Sequence, residues 1–145
     1  MRNSDNEAYK DTEYRLYRYK TICTRINDHK RNISELKDMN PNALWSTSHS
    51  VLSLNKNKKR SDISDAFERQ IGAVRTYIAA DEYEIRQIRR ALRTVRDDPY
   101  YMALELRYFR GMTDDEASRV LKCSPSTLRR NRTRLLTTVS SVLHR

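Results

Sequence analysis

The chain has 145 residues, a formal net charge of +10, and a composition that is 37% hydrophobic and 33% charged. With so little apolar material, and with only Gly 2 and Pro 3 to make tight turns, a thick globular core is excluded and an all-α chain with narrow apolar stripes is predicted. The excess positive charge favours a polyanionic partner such as DNA, RNA or an acidic membrane surface. No apolar stretch reaches the length of a membrane span, and "MRNSDNEAYK" at the start lacks a signal-peptide core, so a soluble, cytoplasmic protein is expected.

The first predicted helix covers roughly residues 6–39. Leu16, Tyr19, Ile22, Ile26, Ile33 and Leu36 recur at spacings of three, four and seven, and so form one stripe. Pro41 disfavours helix at Asn40 and ends it. Residues 43–60 are rich in Ser and Asn, show no helical period and finish on Lys58, Lys59 and Arg60. A polar loop over 40–60 is expected, with the three basic residues as candidate phosphate contacts. Leu44, Trp45, Val51, Leu52 and Leu54 are costly to leave in water. They pack on the chain's own helices or meet a partner.

A second long helix is predicted from Ser61, which suits an N-cap. Phe67, Ile71, Val74, Ile78, Asp81, Ile85, Ile88, Leu92 and Val95 alternate in steps of four and three. This is a heptad seam with one polar member, Asp81, of the kind that fixes register or oligomer state. The seam pairs with the first helix as an antiparallel hairpin, and a homodimer along the same coiled coil is also expected. Arg86, Arg89, Arg90, Arg93 and Arg96 line the outer face, either as a solvated surface or as a phosphate-contacting stripe.

Asp98 and Pro99 suit the N-cap and first position of a new helix. They place a boundary between a helical domain, 1–98, and a C-terminal domain, 99–145. In "PYYMALELRYFRG", Tyr101, Leu104 and Tyr108 share a face with Met102, Leu106 and Phe109 at its margins, and Gly111 ends the helix. Thr113 and Glu116 make a capping box for the next helix, whose buried face is read as Ala117, Val120 and Leu121. After "KCS", Ser124 caps a third helix with Pro125 at its first position and Leu128, Leu135, Val139 and Val142 or Leu143 inward. Two helices joined by a tight turn, the second strongly basic, describe a helix-turn-helix. Ser126, Arg129, Arg130 and Thr133 are spaced i, i+3, i+4, i+7 and form the face that would enter a major groove. Arg132 and Arg134 flank it as phosphate ligands, Ser124 and the helix N-terminus add another, and Arg119 and Lys122 are further phosphate candidates.

The stretch "ALELRYFRGMTDDEASRVLKCSPSTLRRNRTRLL" resembles region four of sigma factors, and within that group it is most similar to phage and prophage late-gene activators of the ArpU and RinA type. The resemblance covers about the last third of the chain. It implies a small DNA-binding transcription regulator without a cofactor, acting in a bacterial cytoplasm, with RNA polymerase as a candidate partner. It also implies a recognition-helix role for Ser126, Thr127, Arg129, Arg130 and Thr133. Cys123 stands where the family more often has an apolar or aromatic residue, and Asn131 and Arg132 make the helix centre unusually polar.

An enzyme is not expected. His29, His49 and His144 have no catalytic partner at a suitable spacing, and no glycine-rich phosphate loop is present. Cys23 and Cys123 stand far apart without a ligand pattern, so free thiols and no metal are expected. Two other readings use the same parts: a phage DNA-packaging protein that recognises DNA, and a coiled-coil interaction protein whose basic face is incidental.

Overall fold

The computed structural model describes residues 3–40 and 54–145, with side chains from 62 onward in the second stretch. The described residues form helices and turns, with no strand. The helices are α1 (Asn3–Met39), α2 (Leu54–Arg93), α3 (Tyr101–Leu104, continued by a π turn at Glu105–Phe109), α4 (Asp114–Leu121) and α5 (Pro125–Leu143). None is long and apolar enough to cross a membrane.

The second helix starts at Leu54, ahead of the Ser61 cap predicted from sequence. The residues ahead of Ser61 include lysines and an arginine, which are good helix formers, and no Gly or Pro. Their polarity hides the helix from a search for apolar period. The packing expected of Leu44, Trp45, Val51 and Leu52 lies outside the described residues, and the packing expected of Leu54 and the phosphate contacts expected of Lys58, Lys59 and Arg60 lie outside the described side chains.

Contacts divide the chain into two compact units, Met1–Cys23 with Tyr83–Arg145, and Thr24–Glu82. In the second unit Ile26, Ile71 and Ile78 are buried. Arg25 clamps Asp81 through two hydrogen bonds, Nε to Oδ2 at 2.7 Å and Nη2 to Oδ1 at 2.6 Å. Four residues further along α1, His29 lies 6.0 Å from Tyr77, four residues back along α2. The polar member of the seam is therefore an ion pair within one chain, and its charge is compensated where burial would otherwise be costly.

The first unit is built on one core that draws on α1, α2, α3 and α5. Leu16, Ile88, Ala91, Leu92, Val95, Leu104, Tyr108, Leu135, Leu136, Val139 and Val142 form a single buried cluster. The Tyr108 hydroxyl donates to Glu13 Oε1 at 2.7 Å, and its ring meets Tyr17 edge-on at 4.7 Å. Burial first, then the Glu13 carboxylate, push the Tyr108 phenol far above its ordinary value. A smaller cluster of Ala103, Leu106, Ala117 and Leu128 lies on the other side of α3.

The helix after Pro99 begins at Tyr101, two residues later than expected, with Tyr100 in place of Asp98 at the N-cap position. Asp98 Oδ1 accepts the Tyr100 N–H at 2.9 Å and its backbone carbonyl accepts Tyr101 N–H, making a turn outside the helix. The π turn is set by Arg110 N–H bonding to Glu105 O at 3.1 Å, and Met112 N–H bonds to Leu106 O at 2.9 Å around Gly111 with φ 65°. Leu106, read from sequence as marginal, is buried, whereas Val120 is 54% exposed and Ser118 takes its buried place.

Two further expectations change. The boundary at 98/99 is crossed by the main core, since Leu16 and Ile88 share it with Leu136. The seam from Phe67 to Val95 has Ile71, Ile78, Asp81, Ile85, Ile88, Leu92 and Val95 buried and Phe67 and Val74 half-buried within the single chain. The chain itself covers the stripe that was expected to join two copies.

Gly72 sits inside α2, exposed, and a Cβ built there meets nothing within 4 Å. Gly72→Ala should therefore raise stability by about 0.5–1 kcal/mol in a urea melt; a loss of stability would mean the α2 backbone is not helical there.

Candidate nucleic-acid interface

α4 begins where the sequence places it. The Thr113 side chain accepts Glu116 N–H at 3.2 Å, and Asp114, Asp115 and Glu116 fill the first turn. It ends on Lys122 with φ 55°, a left-handed conformation, and Cys123 N–H reaches back to Ser118 O at 3.0 Å. This is a Schellman closure with lysine where glycine is usual. It reverses the chain within "KCS". Cys123 packs half-buried against the smaller core cluster, an apolar role for the thiol.

Ser124 then caps α5. Its Oγ accepts Thr127 N–H at 3.2 Å and donates to Thr127 Oγ1 at 2.9 Å. These two hydroxyls shape the helix start, with Ser124 exposed and Thr127 half-buried.

The arginines separate into two groups. Arg132 is not a flanking phosphate ligand: its side chain is only 12% exposed and is bonded to Asp114 at the start of α4. Burial pushes the Asp114 carboxyl up, but the hydrogen bond and charge of Arg132, with Arg107 and Arg129 adding, hold it below the ordinary Asp range. Burial likewise opposes the Arg132 charge, and Asp114 more than offsets it. Arg134 is bidentate to Asp98, Nη1 to Oδ2 at 2.8 Å and Nη2 to Oδ1 at 3.1 Å, and also reaches Asn131 Oδ1 at 3.2 Å. The Arg134 hydrogen bond, then the Tyr100 N–H, lower the Asp98 carboxyl. Asn131 in turn donates to Thr127 O at 2.9 Å. The polar centre of α5 is thus an internal network.

Ser126, Arg129, Arg130 and Thr133 remain on the exposed side of α5, while Leu128, Leu135 and Leu136 are buried. Arg129 has one loose pairing, 3.8 Å to Asp114, and Arg130 has no ion pair among the described residues. Arg119 and Lys122 are also exposed. The face therefore presents two extended guanidiniums between two short hydroxyls, with further basic groups at the preceding turn.

Among the described residues no group of His, Cys, Asp or Glu could hold a metal ion. His144 bonds Asp11 Oδ2 at 2.9 Å and Ser140 O at 2.9 Å, and His29 stacks near Tyr77. Comparison with protein-family models, with curated proteins and with solved structures finds no match to this chain.

Sequence reasoning missed Asp98 and Asp114 as arginine partners. Both stand near helix starts, where local chemistry points to capping and dipole roles. The Asp114 pairing depends on how α4 and α5 cross, and the Asp98 pairing on how α5 passes the turn before α3, which local spacing does not report.

Arg132→Ala leaves Asp114 without its main partner and should cost about 2–3 kcal/mol in a chemical melt; a neutral result would show that Arg132 is a surface residue. Asp114 is a depressed acid, so its stabilising contribution is present above the ordinary Asp value of 3.8 and is lost as pH falls through its lower folded value. Stability measured from pH 5 down to 2 should fall less steeply in Asp114→Asn than in the parent, with the remaining slope carried in part by Asp98.

Proposed function

We propose that the chain is a sequence-specific duplex DNA-binding regulator of transcription, of the phage late-activator kind, that reads the major groove with α5. In this reading α4, the turn at Lys122 and α5 act as a helix-turn-helix, and α1 and α2 form the antiparallel hairpin that supports it. The observation that carries the proposal is the sorting of charges on α5. Arg132 and Arg134 are tied back to Asp114 and Asp98, while Arg129 and Arg130 stay outward with Ser126 and Thr133 on one face. A basic face that only kept the chain soluble would have no need of that division.

The chemistry follows from the side chains. A guanidinium donates two hydrogen bonds to guanine O6 and N7, and serine and threonine hydroxyls tolerate several bases. Arg130, unpaired and exposed, is the side chain assigned to guanine. Arg119 and Lys122 sit before α5 and suit phosphates, which set register without reading sequence. Because the α2 seam is filled inside the chain, one chain on one site is the proposed bound form.

Selection from random duplexes at near-physiological salt should return a motif without inverted repeats. Arg130→Ala should weaken binding to that motif by about 1–3 kcal/mol and relax it at one position, with an unchanged melting temperature. An unenriched pool would end the sequence-specific reading, and a palindromic motif would end the single-chain form.

A further inference from the structure

A second basic surface lies away from α5, in a groove of about 580 Å³ in the same compact unit. Arg86, Arg89, Arg93 and Arg96 line one wall. All four are exposed, and Arg86, Arg93 and Arg96 form no ion pair among the described residues. Arg86 to Arg93 spans roughly 10 Å of α2, and Arg96 follows in the turn after its end, a reach greater than a single phosphate.

The groove also holds flat rings. Tyr19, Tyr101 and Phe109 line it half-buried, with Tyr19 and Phe109 5.0 Å apart at a tilt of 40°. Arg89 donates to the Tyr19 hydroxyl at 2.8 Å and lies 5.9 Å from that ring's centroid, which fixes both groups at the groove wall. Glu105 is the one carboxylate among four guanidiniums in the lining. The surface therefore combines a row of fixed positive charge with aromatic faces, the pairing that holds a strand by its phosphates while its bases stack. A duplex keeps its bases inside its own stack and would leave these rings without partners. An acidic peptide would satisfy the arginines but has no regular array of planar groups for the rings.

We infer that this groove binds a short segment of single-stranded nucleic acid, with Arg86, Arg93 and Arg96 on phosphates and the Tyr19, Tyr101 and Phe109 rings against bases. The site is separate from the α5 face and does not depend on duplex recognition there.

The test is fluorescence anisotropy with the full chain and a labelled thymidine 12-mer. Binding should weaken with salt at a log–log slope near −2, as expected for about three phosphates on a single strand. Arg93→Gln with Arg96→Gln should reduce affinity at least tenfold and flatten the slope by about 1.4, with an unchanged circular-dichroism melt. Arg130→Ala should leave 12-mer binding intact while it weakens duplex binding, which separates this site from the α5 face. An abasic 12-mer of equal charge should bind at least fivefold more weakly. Equal binding by the double variant, equal binding of the abasic strand, loss of 12-mer binding in Arg130→Ala, or displacement by a glutamate-rich peptide as effective as unlabelled 12-mer would each overturn the proposal.

Discussion

A segment as short as 99–145 buries little apolar surface by itself, and this constraint orders the first compact unit. The remedy is a shared core. Leu135, Leu136, Val139 and Val142 of α5 pack in one cluster with Leu16 of α1 and with Ile88 and Leu92 of α2. Tyr108 adds a buried ring and a hydrogen bond to Glu13, joining α3 to α1. The long helices thus supply the apolar surface that the C-terminal helices lack, and a chain with 37% hydrophobic residues closes a core through elements distant in sequence.

The same scarcity explains why so many charged side chains are bonded internally. α5 has only a narrow buried stripe, so its neighbouring positions must be polar, and polar groups at the margin of a core need partners. Arg132 meets that demand through Asp114, and Asn131 through the carbonyl of Thr127. Arg134 is half exposed and still holds Asp98 with two bonds. An arginine count over "RRNRTR" therefore overstates the charge available to a ligand: two of the four guanidiniums brace the helix, and Arg129 and Arg130 project from it.

Much of this was legible in the sequence because it is local. The Thr113 and Ser124 caps and the reversal at "KCS" appear where residue chemistry requires them. So does the stripe of Leu16, Ile22 and Ile26. Local chemistry was not enough in three places. Helix from Leu54 was hidden because it carries no apolar period. The π turn at Glu105–Phe109 leaves no spacing signature, yet α3 buries Leu106 in one cluster and Tyr108 in another. The seam was recognised correctly as apolar, but periodicity cannot say whether its partner is the same chain or a second one. Burial of Ile71, Ile78 and Ile88 within the single chain shows that its own residues cover it.

The turn between α4 and α5 places Lys122 in the left-handed region. A lysine in the left-handed region is disfavoured relative to glycine, because its Cβ crowds the backbone. The conformation is held from both sides, by the Cys123 bond to Ser118 and by the Ser124 cap of α5. Glycine there would relieve the strain and remove an exposed cation immediately before the basic helix. Retaining lysine keeps that charge next to the outward face of α5, where a phosphate-binding turn would need it. On the proposed reading, the strained residue is tolerated because its side chain has work outside the fold.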